Sequence, residues 1–119
     1  MIDTGRIRMK VVNEILYCEA YMEDEFSLRD AHVILEEARN SFDHPADMIL
    51  KKVSTYSVAV DVQLMMSRKI VELRNFIYVV DNEMKRASAE FAAESYMQPY
   101  NTCIVDSVNE AYEMLSTNH

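Results

Sequence analysis

The chain predicts an α/β fold: an opening β-hairpin followed by four β–α units, built on a five-stranded mixed sheet. Three observations carry this. A short apolar run, a polar turn and an amphipathic segment recur four times, the runs being 15–22, 48–53, 76–80 and 102–105. The first run is preceded by a stretch of strict alternation. The apolar residues that follow each run recur at steps of three and four, the spacing of one helix face. An antiparallel hairpin that leads into parallel strands joined by crossover helices satisfies all three.

Ile7, Met9 and Val11 alternate with Arg6, Arg8 and Lys10, the pattern of a half-exposed strand. Asn13-Glu14 makes a tight turn, and 15–22 returns antiparallel. Ser27, with Asp30 three residues on, is a variant capping box. Leu28, Ala31, Leu35, Ala38 and Phe42 then form the buried stripe of the first helix, which His44-Pro45 ends. Strand 48–53 is apolar until Lys51-Lys52. The turn Ser54-Thr55-Tyr56-Ser57 follows, with Ser57 as N-cap of a second helix that buries Val58, Val62, Met65 and Met66 and frays near Lys69. Strand 76–80 is β-branched and aromatic throughout. Asp81-Asn82 caps the third helix, whose inward face is Met84, Ala87, Phe91 and Ser95. Pro99 ends that region and 102–105 is the last strand. Ser107 with Glu110 opens the last helix, and Val108, Ala111, Tyr112 and Leu115 form its stripe.

At 119 residues the chain reads as one domain, 1–119, large enough to bury a core without staples. No apolar run approaches the roughly 20 residues that span a bilayer. The first residues hold no apolar core of a signal peptide, so the expected location is cytoplasmic. The net charge of -8 disfavours a general grip on nucleic acid or an anionic membrane. It suits a partner with a basic surface, or serves solubility alone. Cys18 and Cys103 fall inside strands, where free thiols pack as small hydrophobes. The single glycine, Gly5, lies in the N-terminal tail, which excludes the glycine-rich phosphate turns of dinucleotide sites and P-loops. His32, His44 and His119 are scattered, and none pairs with His or Cys at metal spacing. The acidic run 23–25 lacks the spaced ligands and glycine of a calcium loop. No nucleophile–base pairing is visible. The expectation is no metal, no cofactor and no catalytic residue: not an enzyme.

Asn13-Glu14-Ile15-Leu16-Tyr17 in the hairpin and Ser27-Leu28-Arg29-Asp30-Ala31 at the first helix carry a family likeness. So does the ending, Pro99-Tyr100-Asn101-Thr102-Cys103 through Asp106-Ser107-Val108-Asn109-Glu110-Ala111. Over residues 7–116 the chain resembles the STAS-like family, named for sulfate transporters and anti-sigma-factor antagonists, and in it the small bacterial proteins of unassigned function. The resemblance implies β–α units wound as a superhelix, and protein binding rather than catalysis. In the antagonists a Ser or Thr after the central strand is phosphorylated, within Asp-Ser-Ser/Thr-Gly. Here Val53-Ser54-Thr55-Tyr56-Ser57-Val58 stands in its place, without the acid or the glycine. Ser54, Thr55 and Ser57 are the candidate regulatory phosphosite or partner contact, with plain helix capping as the alternative.

The function expected is a non-enzymatic regulatory module that works through a protein partner. The alternative is a domain for a small apolar or lipid-like ligand. Nine methionines support it, with Met65, Met66, Met84 and Met97 placed around the second and third helices. Tyr17 and Tyr21 share one strand parity. If the helices cover the opposite face, these two form a candidate homodimer face ringed by Arg6, Arg8 and Lys10.

Overall fold

The computed structural model describes residues 1–117. Alternation at Ile7–Val12 (β2) and the return at Ile15–Ala20 (β3) make the expected hairpin, with β1 (Ile2–Asp3) added outside β2. Both turn residues, Asn13 and Glu14, have positive φ, at 51° and 63°. That conformation matches the right-handed twist of the flanking strands. Three β–α crossovers follow: α1 (Leu28–Ser41), β5 (Ala46–Lys52), α2 (Val60–Met66), β7 (Leu73–Val79), α3 (Glu83–Glu94) and β8 (Asn101–Val105), closed by α4 (Val108–Thr117). The main sheet has the order β1-β2-β3-β5-β7-β8, antiparallel up to β3 and parallel beyond it. A second, two-stranded parallel sheet pairs β4 (Glu25–Phe26) with β6 (Ser57–Val58).

The α/β class and the mixed sheet are as expected, but the main sheet has six strands and not five. The extra strand is two residues long, too short for any periodicity. It is held by the turn at Gly5, whose φ is +84° and whose N–H bonds Asp3 Oδ1.

One face of the sheet carries α1, α2 and α3, packed on Leu16, Cys18, Met48, Leu50, Phe76 and Tyr78. The other carries α4, whose Ala111 and Leu115 cover Ile49, Ile77 and Val79. The first helix is capped as its sequence proposes. Ser27 Oγ accepts from the Asp30 backbone, while Asp30 Oδ2 takes the Ser27 N–H. Arg6 locks this corner, bonding Asp30 through Nε at 3.0 Å and Asp24 through Nη1 at 2.9 Å.

Two helix assignments need correction. Ser57 is not the N-cap of the second helix. It lies in β6, and α2 starts three residues later from Ala59, which makes no side-chain cap. The backbone of Ser57 is engaged by Asp24 and that of Ala59 by Phe26, so strand pairing outcompetes the cap. The third helix is correctly capped by Asn82, but its buried face is Lys85, Ala89 and Ala92. Met84 and Phe91 are 67% and 62% exposed; Ala87 and Ser95 are exposed as well. Lysine at 85 disguises a stripe of small residues that lets α3 approach the sheet closely.

Candidate functional site

β5 alternates strictly. Met48, Leu50 and Lys52 point to the three-helix face, and Ile49 to α4. Lys52 therefore enters the apolar layer by parity alone. Above it the helices leave a gap. α2 has seven residues, about 10 Å of helix, against fourteen in α1 and twelve in α3. The cavity so formed offers ≈ 60 Å³ to the centres of water-sized molecules. At roughly 15 Å³ each that is room for about four waters, or for one slender organic group. Its walls are Lys52, Tyr56, Tyr78 and Tyr96, and otherwise aliphatic, phenylalanine and methionine side chains. Met48, Met66 and Met97 are among them, so the volume can adapt.

The roof is laced down by pairing with residues distant in sequence. Ala59 N–H donates to Phe26 O at 3.0 Å, Ser57 N–H to Asp24 O, and Ser54 Oγ to the Met22 carbonyl. This brings Phe26 onto the Tyr56 ring at 5.9 Å between centroids. Val58 and Tyr96 are the half-buried wall residues and mark where the cavity reaches the surface.

Lys52 is 4% exposed. Its Nζ lies 4.0 Å from the Tyr56 ring centroid and 5.9 Å from that of Tyr78. Among the described residues it forms no ion pair. Aromatic faces offset part of the desolvation of a cation, not all of it. Burial, and then the charge of Lys85, push the Lys52 ammonium down to about 8. Tyr56 Oη is buried with no hydrogen-bond partner among the described residues. Burial pushes the phenols of Tyr56 and Tyr78 well up, and that of Tyr96 up to about 12. All three therefore keep their protons at neutral pH and can donate. A cation and a free hydroxyl thus sit at one end of an apolar chamber, at the carboxyl end of the parallel strands, where open α/β sheets place ligands.

The residues singled out in the sequence are placed differently. Ser54 is half-buried and spends its hydroxyl on Met22, while Thr55 and Ser57 are exposed on the roof. Tyr17 does not lie on a bare face. It is 8% exposed, stacked on Tyr112 of α4 at 6.3 Å and bonded to Glu19. The expectation that the helices leave its side of the sheet open is corrected, because α4 crosses to that side. Tyr21 is half-buried, with its hydroxyl on Asp3 and Arg8 over its ring at 4.5 Å. Cys18 and Cys103 are free thiols. His32 is exposed, His44 bonds the Pro45 carbonyl, and His119 lies outside the described residues. Among the described residues no three His, Cys, Asp or Glu side chains gather as a metal site needs. None of their helices is long and apolar enough to cross a membrane.

The sequence alone does not mark Lys52, Tyr56, Tyr78 or Tyr96 as the lining of a cavity. The signal for Lys52 was its parity with Met48 and Leu50, hidden because a lysine pair reads as a strand end.

No family model and no curated protein matches the sequence. Among solved structures, the crystal structure of an uncharacterized protein from the DUF3478 family, with a SpoIIAA-like fold, from Shewanella loihica PV-4 is similar. It matches with a TM-score of 0.64 and 12% identity, over 92% of this chain and 94% of that one. The chain therefore has the SpoIIAA-like, or STAS-like, fold.

Proposed function

We propose that this chain is a binding protein for a small molecule with an apolar body, held between the sheet and α1–α3. The observation that carries this reading is the cavity. A well-packed core of this size leaves few voids larger than a water, and this one is adaptable, reaches the surface and carries a polar end. On this reading the chain binds and does not catalyse. The test is a titration of methyl-labelled protein with 1-hexanol, followed by NMR. The methyls of Met48, Met66 and Met97 should shift together and saturate, while exposed Met84 stays still. No saturable shift, or one confined to Met84, contradicts the reading.

A second reading, a protein-interaction module, is supported by Val60 and Leu64. They are 70% and 58% exposed, one turn apart on α2 and next to the Ser54–Ser57 roof. A partner retained by the wild type and lost by V60D/L64D would favour it. The same proteins retained by both would count against it.

A further inference from the structure

The polar end of the occupant can be specified further, on the reading that the cavity is a binding site. Lys52 brings one positive charge into the apolar layer, and among the described residues none of the carboxylates pairs with it. The titratable groups that line the cavity with it are Tyr56 on the roof, Tyr78 on β7 and Tyr96 after α3, all neutral. Lys85 on α3, itself held by Asp81, acts on it from nearby, and Lys52 also borders a second pocket lined by Lys51, Asp81 and Asp106, without an ion pair to either carboxylate. Tyr56, whose ring the ammonium covers, has a buried hydroxyl without an acceptor. A cation lacking its counter-charge and a donor lacking its acceptor thus share one wall.

We propose that the site takes a small monocarboxylate, its head group accepting from Lys52 Nζ and Tyr56 Oη and its slim apolar body lying among Leu35, Met48, Met66 and Phe76. A carboxylate has two acceptor oxygens and one charge, which matches one ammonium and one hydroxyl. An alcohol leaves the cation without a counter-charge, and an amine adds a second cation. A phosphate brings up to two charges against one cation and more acceptor oxygens than one ammonium and one hydroxyl can meet.

Calorimetric titration of the full chain at pH 7 with hexanoate, 1-hexanol and hexylammonium tests this. Hexanoate should bind at least tenfold more tightly than 1-hexanol, and hexylammonium should show no saturable binding. Lys52→Met and Lys52→Gln should both erase the preference while 1-hexanol still binds, and Tyr56→Phe should narrow it severalfold. Equal binding of hexanoate and 1-hexanol by the wild type, or a preference that survives both Lys52 variants, overturns the carboxylate assignment and leaves the cavity reading standing. No saturable binding of any of the three overturns both.

Discussion

Lys52 and Lys85 lie close enough at the carboxyl end of the sheet for the charge of one to act on the other, and both are almost wholly buried. The fold treats them in opposite ways. Lys85 reaches out from α3 to donate to Asp81 at 2.7 Å and to the Val53 carbonyl at 2.9 Å, so its charge is met on both sides. Lys52, one strand end away, is met by ring faces and by a cavity. The chain thus supplies partners where a buried charge serves only the fold. Where it supplies none, the charge destabilises the folded state, since apolar residues of similar volume often replace a buried charge at no loss. Local rules broken without a structural gain tend to mark function.

The contrast can be broken at its compensated side first, where the largest effect is expected. Burial alone would raise the Asp30 carboxyl, but Arg6 and Ser27 hold it below the usual carboxylate range. Asp30→Ala removes that ion pair and the cap of α1 together, and should cost about 3 kcal/mol in urea denaturation at pH 7. The native carboxylate contributes fully above 3.8, its ordinary value, and that contribution fades as pH falls through its lower folded value. The gap between wild type and variant should therefore close in acid.

Lys52→Met should act with the opposite sign. Its ammonium falls from 10.5 to about 8 on folding, a penalty on the order of 3 kcal/mol below pH 8. Between those values the unfolded chain binds the extra proton, so wild-type stability rises with pH through that window. The variant should be more stable by about 1–3 kcal/mol at pH 7, and the advantage should vanish towards pH 10.5, the ordinary lysine value. Equal stability at pH 7, or an advantage independent of pH, would mean that Lys52 is compensated after all.

The smallest effect is expected on α3. Met84→Ser and Phe91→Ser should change stability by no more than about 0.5 kcal/mol, since both side chains face solvent. Losses of about 3 kcal/mol, the scale of a core truncation, would restore the face read from the sequence.

That helix shows why part of the structure was legible and part was not. The hairpin, the succession of strands and helices, the caps and the α/β class follow from local signals: Asn13-Glu14, Ser27 with Asp30, Asn82 before α3. Which face of α3 is buried does not, because two stripes compete and the true one begins with a lysine. Ser57 misled for a related reason. A hydroxyl before an apolar run is a cap signal, but the backbone was claimed by Asp24 and Phe26, far off in sequence. The cavity is less legible still. It arises from the short α2 beside two longer helices and from residues on seven separate elements and two loops, none of which is unusual alone. Of its polar end only Lys52 left a trace, in the parity of β5.

The most direct test of the account is the titration of Lys52 itself, followed through its side-chain carbon signals by NMR, with and without saturating hexanoate. Without hexanoate the buried ammonium should titrate near pH 8, and a bound carboxylate should move that midpoint up by at least one unit, because it favours the charged form. A midpoint at the ordinary lysine value without hexanoate, or one that hexanoate leaves in place, would contradict the account.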